Sequence, residues 1–387
     1  MMIIMGTEEK LFKILAEYGR IHEKDIVQLY STYHYARKRI KQMIDHKYLK
    51  AVHAITGYSE AKKSKKLKYK LVQLTAKGRR TIEDTGIIFS APVTTRIVSM
   101  EKQRKQTKTA VILDKLGIEI LESNYNNYQD KTDMKWFEQS TVVKQHSKAL
   151  DNHSRIMGIL YSPGGDYAVY NIGNGTGKWY VSEEGTITGV TRYEREINKM
   201  IIMVKGSKME DAIKAQEAFE ENIYREIDKR TRNRTFVLPS GINMCAILSD
   251  DEKGYEMLEN MTYKDWKLKI AQYCLGASEV KAPKVRSADF CYKEWNVYIM
   301  VHNDLDAREN IKNYQFLMAS SSKAGRDVII ICLDTDEEYY KNLFTIYTEK
   351  GKEVTVEIIS ISREEVKEVC RAAQIQKEIE NKQYLSR

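Results

Sequence analysis

Thr32-Tyr33-His34-Tyr35-Ala36-Arg37-Lys38-Arg39-Ile40-Lys41-Gln42-Met43-Ile44 is the stretch that decides how the front of this chain is read. At about 100° of rotation per residue, Ala36, Ile40, Met43 and Ile44 share one face of a helix. His34, Tyr35, Lys38, Lys41 and Gln42 fall opposite, flanked by Arg37 and Arg39. The Ser31-Thr32 pair offers an N-cap hydroxyl, because such a side chain can take one of the first unpaired N–H groups of the helix. A solvent-facing helix of cationic, aromatic and amide groups has the chemistry to reach base edges and phosphates in a major groove.

Outward from it, toward the N-terminus, a short helix is expected from about Glu23 to Tyr30 on Ile26, Val27 and Leu29. Before that, Leu11, Phe12 and Leu15 recur at helical spacing between Glu8 and Tyr18, and Gly19 supplies a terminator. Toward the C-terminus the period changes. Leu49 to Ile55 and Leu67 to Leu74 read as two strands joined by Gly57 to Lys66. Three helices followed by a hairpin make a winged helix-turn-helix over residues 1–88. Lys62, Lys63, Lys65 and Lys66 at the hairpin tip are placed to track a phosphate backbone, which adds salt-sensitive affinity without reading sequence. A merely solvated lysine-rich tip is the alternative.

Charge is divided unevenly along the chain. Of 63 Lys+Arg and 54 Asp+Glu, residues 1–110 hold 24 and 10, a local excess of +14, leaving 39 against 44 beyond them. A basic front on a slightly acidic body is expected where one module meets a polyanion and the other meets proteins or a small molecule. With 42% hydrophobic residues over 387 positions the chain is long and apolar enough for two or three cored domains. No secretory pattern opens it, and apolar runs such as Val328 to Leu333 are far short of the ~20 residues a membrane span needs. Cys245, Cys274, Cys291, Cys332 and Cys370 are odd in number and unpaired in spacing, against a disulfide framework or a zinc site. A soluble, cytoplasmic protein without cofactor is the expectation.

Tyr69-Lys70-Leu71 followed by Leu74-Thr75-Ala76-Lys77-Gly78-Arg79-Arg80 resembles the strand-to-helix exit of bacterial winged-helix regulators. The resemblance implies that Leu74 closes the core, Thr75 caps the next helix, and Arg79 and Arg80 lie near the DNA backbone.

Ser90-Ala91-Pro92 marks the end of this unit, and residues 89–150 read as a connector. Arg96 to Lys108 within it is basic and precedes the apolar-periodic stretch Ala110 to Leu121. Such a helix either extends a DNA footprint or joins two rigid bodies. From 151 to 387 strand-like and helix-like segments alternate, which suggests βαβ units and a mixed or partly parallel sheet, with a break near 235–250. The overall expectation is an α+β or α/β chain.

Motifs for chemistry are sparse in the body. Gly173-Asn174-Gly175-Thr176-Gly177-Lys178 invites comparison with a phosphate loop, but only three residues separate Gly173 from Gly177-Lys178, and Trp179 follows where Ser or Thr is needed. A hairpin turn fits better. Asp166, Glu194, Glu196, Asp289, Asp304 and Asp334 stand near strand ends, yet nothing in their spacing selects a metal-binding set. Asp265-Trp266-Lys267-Leu268-Lys269 has apolar spacing suited to a helix rather than a nuclease strand. No catalytic or metal residue is assigned.

Taken with the basic front and charged connector, Tyr167-Ala168-Val169-Tyr170-Asn171 leading to Arg192-Tyr193-Glu194-Arg195-Glu196 resembles the replication-relaxation family of plasmids and conjugative elements. That resemblance implies an accessory duplex-DNA-binding factor at a transfer or replication origin, helping a relaxase or replication protein to load. It also implies a nuclease-like second domain, inactive here for want of a compact Asp…Glu-x-Lys set. The alternative is a transcriptional regulator whose α/β body senses a ligand or forms a homodimer. A metal-dependent nuclease stands third.

Overall fold

The computed structural model describes residues 4, 6–56, 67–82, 97–121, 134–146, 156–173, 191–192, 195–204, 242–276, 279–283, 287–308, 310–311, 328–345 and 356–372. The chain is mixed α+β and divides into two compact units, residues 1–161 with 190–194, and 162–189 with 195–387.

The first unit opens with α1 (Gly6–Tyr18), then β1 (Ile21–His22), α2 (Glu23–Ile26) and a 3-10 turn (Val27–Leu29). Helix α1 stops at Gly19, whose φ of +96° is open to glycine and whose N–H still donates to the Leu15 carbonyl at 3.0 Å. Helix α3 (Tyr33–Asp45) starts at Thr32, which caps it by accepting from the Tyr35 N–H at 3.3 Å. Ala36, Ile40 and Met43 are buried, as the helical period requires.

Strands β2 (Leu49–Thr56) and β3 (Leu67–Leu74) pair antiparallel from Leu49↔Leu74 to Thr56↔Leu67. Residues 57–66, with the four tip lysines Lys62, Lys63, Lys65 and Lys66, lie outside the described residues. The sequence reading omits β1, which pairs with β3 through Ile21↔Val72 and His22↔Leu71 and makes a third strand. Two residues are too few to show a period, and their partners are some 50 positions away.

Beyond β3 comes α4 (Ala76–Arg80), capped by the Thr75 hydroxyl, which accepts from the Gly78 N–H at 3.1 Å and donates to the Tyr48 carbonyl at 3.0 Å. A methyl group at Gly78 would stand 2.3 Å from that carbonyl oxygen and 2.8 Å from a Leu74 methyl. Glycine is therefore demanded by close approach, with backbone rather than a flexible side chain as the obstacle.

Helix α5 (Ile97–Lys115) is longer than the basic segment read from the sequence. It ends before Gly117 (φ +78°), so the apolar stretch to Leu121 finishes as extended chain rather than helix. The helix buries Gln103, Gln106, Thr107 and Thr109. The Thr107 hydroxyl donates to the Arg20 carbonyl at 2.6 Å, and Gln106 Nε2 reaches Ser140 Oγ at 2.5 Å. Strand β4 (Trp136–Gln139), α6 (Ser140–His146) and β5 (Ile156–Tyr161) follow, with β4 antiparallel to β5. Gln139 Nε2 donates to the Glu17 carbonyl at 2.8 Å, and Tyr18 OH to the Ile120 carbonyl at 2.8 Å. The bonds of Thr107, Gln139 and Tyr18 join residues 97–161 to residues 17–20 at the end of α1.

The second unit takes up β6 (Tyr167–Gly173), and after β7 (Thr191–Arg192) in the first it continues with β8 (Arg195–Glu196), β9 (Lys199–Val204) and β10 (Met244–Ser249). Strands β6, β9 and β10 are parallel and start in register, with Tyr167, Lys199 and Met244 on one rung. The sequence from Met209 to Arg230 reads as a long helix and Thr235 to Leu238 as a strand, and both lie outside the described residues.

The stretch from Tyr255 to Cys274, whose spacing is helix-like in the sequence, forms two helices, α7 (Glu252–Met261) and α8 (Trp266–Leu275), broken where Asp265 adopts φ +54°. A second sheet has the order β11 (Val280–Lys281), β12 (Phe290–Tyr292), β13 (Trp295–Ile299), β14 (Val328–Leu333) and β15 (Val356–Ile361). Its first three strands are antiparallel neighbours and its last three parallel. Helix α9 (Glu337–Thr345) packs Tyr340 and Phe344 onto Tyr298, Met300 and Ile330.

Replacing Gly78 by Ala is expected to destabilise the first unit by about 1–3 kcal/mol, the usual cost of forcing atoms into packed space. Urea unfolding of the full chain checks this, and a variant as stable as the parent would mean that the Tyr48 carbonyl is free to move.

Candidate nucleic-acid interface

The candidate interface lies on α3, and what orients α3 is an ion pair on its inner side. Arg39 Nε lies 2.7 Å from Glu8 Oε1, with Glu8 fully buried and the Arg39 side chain 14% exposed. Periodicity alone places Arg39 beside the polar face. The structure turns it inward to α1, because a carboxylate buried beneath α3 requires a cation. The hydrogen bond to Glu8 raises the Arg39 pKa, and the neighbouring Tyr30 phenol is pushed up by burial and then by Glu8.

With Arg39 turned in, Thr32, His34, Tyr35, Arg37, Lys38 and Lys41 are all exposed. The Thr32 hydroxyl is engaged as the helix cap. Lys38 and Lys41 project without a carboxylate partner among the described residues. Arg37 sits 5.6 Å from the Tyr33 ring centroid and 4.0 Å from Glu23, which also binds Lys70 at 3.2 Å.

Tyr33 is absent from the residues the sequence reading selects, yet it is 47% exposed. Its signal is available in the spacing, since Tyr33, Arg37 and Lys41 follow one another at i, i+4 and i+8 on one side of the helix. In α4, Arg80 is exposed and Arg79 half-buried. Lys77 anchors the element, donating to the His46 carbonyl at 3.0 Å while its ammonium lies 4.3 Å from the Tyr48 ring centroid.

In the second unit, two of the scattered carboxylates meet around one lysine. Lys267 Nζ lies 2.8 Å from Asp289 and 3.8 Å from Asp304, and Asp304 is 3.5 Å from His302 Nε2. Burial opposes the Lys267 charge, but Asp289 and Asp304 outweigh it and raise its pKa. Burial likewise opposes ionisation of Asp304, but His302, Lys267 and the Cys245 N–H bring it down to about 2. His302 is lowered by burial and by Lys267.

Asp306, next in the cluster, is pushed up to about 6 by burial and by Asp304. Asp166, Glu196 and Asp334 do not join this group, and Glu194 lies outside the described residues. Among the described residues no three His, Cys, Asp or Glu side chains converge to hold a metal ion, and no helix is long and apolar enough to cross a membrane.

Comparison of the chain with protein-family models, curated proteins and solved structures returns no match. Function is therefore inferred from the geometry of the two units.

The sign of the Asp306 effect follows from its raised value. Folding favours the protonated carboxyl, so its contribution is full below the ordinary aspartate value of about 4 and is lost as pH rises through about 6. Asp306→Asn removes the ionisable group while keeping an oxygen to accept from Asn310 Nδ2, now 3.1 Å from Asp306 Oδ2. Relative to the parent, this variant should gain thermal stability between pH 4.5 and pH 8, and a pH-independent difference would refute the assignment.

Proposed function

We propose that the first unit is a winged helix-turn-helix that binds duplex DNA, with α3 in the major groove and the β2–β3 hairpin along the backbone. The observation that carries this reading is the division of α3. Its inner face is fixed by Ala36, Ile40, Met43 and the Arg39–Glu8 pair, while Tyr33, His34, Tyr35, Arg37, Lys38 and Lys41 stand exposed on one continuous surface. Exposed Tyr and His offer edges and faces to bases, and Lys38 and Lys41 offer ammonium groups to phosphates. The local charge excess of the front, 24 cations against 10 anions over residues 1–110, supplies the attraction that precedes contact.

Within DNA binding, the resemblance to the replication-relaxation family supports an accessory role at a transfer or replication origin, with a relaxase or replication protein as partner. A transcriptional regulator is the second reading. It is favoured by one observation, an open cavity of about 720 Å³ in the second unit where a ligand could sit. A footprint separates the two. Protection of repeats beside a nick site belongs to the origin factor, and protection of a palindrome before the protein's own gene belongs to the regulator.

Lys38→Ala with Lys41→Ala in the full chain should weaken duplex binding and lower the slope of log K against log salt by about two, near one for each phosphate that is no longer neutralised. Lys253→Ala, an exposed lysine of the second unit, serves as control and should leave both unchanged. Equal affinity and slope in the double variant would remove α3 from the interface.

A further inference from the structure

The cavity of the second unit lies at the amino ends of the parallel strands β6, β9 and β10, where Tyr167, Lys199 and Met244 share a rung. Trp266, Lys267, Asp289, Phe290, Asp306 and Asn310 complete the part of its wall that matters here. Its volume of about 720 Å³ falls in the range of small-molecule sites, roughly 300–1,000 Å³.

Donors and acceptors on the wall do not balance. Asp289, Asp306 and the adjoining Asp304 are already engaged. Asp289 takes Lys267 on Oδ1 and the Ile299 N–H on Oδ2, each at 2.8 Å. Asp304 Oδ1 takes the N–H groups of Cys245 at 3.0 Å and Asp306 at 3.1 Å, while its Oδ2 faces Lys267 and His302. Asp306 accepts from Asn310. Asp265, also on the wall, is exposed to solvent.

Lys199 is different. Among the described residues no carboxylate stands within ion-pair distance of its ammonium and no acceptor is hydrogen-bonded to it; it lies 5.6 Å from the Tyr167 ring centroid. Gly165, at φ +143°, brings backbone close to it, so that a methyl group there would stand 2.6 Å from Nζ. Burial and then Lys267 lower its pKa, against smaller opposite effects of Asp166, Asp289 and Asp304. An ammonium with three donors and no hydrogen-bonded acceptor, on the wall of a cavity, is complementary to an oxygen-bearing anion.

We propose that this cavity binds a small organic anion through a phosphate or carboxylate group held by Lys199. Lys267, neutralised by Asp289 and Asp304, holds the wall rather than the ligand. The inference is independent of DNA binding by the first unit.

The test uses the full chain with inorganic phosphate and succinate as separate probes, so that the two arms tell which oxyanion is preferred. Acetylation of Lys199 by acetic anhydride, read by mass spectrometry, should slow at least fivefold at saturating concentration of one probe, while acetylation of Lys253 continues unchanged. In calorimetric titrations Lys199→Met should raise the Kd at least tenfold, and Lys199→Arg should keep it within about threefold of the parent. Should Lys199→Met fail to fold, the acetylation measurement on the parent decides alone. An unaltered acetylation rate with both probes, or a Lys199→Met variant that folds and binds as the parent does, overturns the proposal.

Discussion

The pair of Glu8 and Arg39 is the constraint from which the first unit takes its form. A carboxylate with no exposed surface cannot be left alone, since removing one partner of a buried pair costs about 3–5 kcal/mol. Helix α3 must therefore rotate until Arg39 faces α1. Once that residue is turned in, the 100° step between successive residues leaves no freedom for the others. Lys38, one step back, and Lys41, two steps on, are carried outward, and Arg37 is carried to the side where Tyr33 stands. The apolar residues of α3 are compatible with some tolerance in rotation, and the ion pair removes it. Its energetic value as a stabiliser is modest once desolvation is counted, but its value in setting direction does not depend on that balance.

A second constraint fixes where the hairpin meets the helices. The Tyr48 carbonyl, just after α3, receives the Thr75 N–H and the Thr75 hydroxyl, and Gly78 packs against it without room for a side-chain carbon. Both ends of the β2–β3 pair are thus tied to one carbonyl group. The Leu74-Thr75-Ala76-Lys77-Gly78 run owes its composition to this. Leu74 closes the core, Thr75 engages both its N–H and its hydroxyl, Lys77 covers the Tyr48 ring, and only glycine fits at 78.

What could be read from the chain beforehand follows the range of the interactions. Helices α1 and α3, strands β2 and β3 and the Thr32 cap depend on neighbours a few positions away, and period and residue type disclose them. Strand β1 does not, because its two residues form a strand only against β3. Helix α5 reads as a charged connector because Lys102, Arg104, Lys105 and Lys108 are cationic and the residues between them, Gln103, Gln106 and Thr107, are polar. Their burial is permitted by partners such as Arg20 and Ser140 that no local pattern points to. Arg39 belongs with them, as its partner is 31 positions away. Of the candidate site, the exposed residues of α3 were legible and Tyr33 was recoverable from its spacing. In the second unit Asp289 and Asp304 were visible as single acids, but their assembly on Lys267, and the isolation of Lys199, exist only in three dimensions.

The two units hold positive charge in opposite physical regimes, and this bears on what each can recognise. On α3 the ammonium groups of Lys38 and Lys41 are in water, where a unit charge is screened within about 8 Å at physiological ionic strength. Singly they attract little, and they become effective against a polymer that presents many charges at once and releases its own counterions. Lys199 sits instead at the edge of a cavity walled by Trp266, Phe290 and Met244, where the effective dielectric is lower and one ammonium interacts strongly with one anion. That strength would be cancelled if the neighbouring acids were free to answer it. Their answer is partial, because Asp289 and Asp304 pull on Lys199 while they are bound at closer range to Lys267. Lys267 thus does for the cavity what Arg39 does for α3. By occupying the buried acids around it, it leaves another lysine without an ion pair of its own.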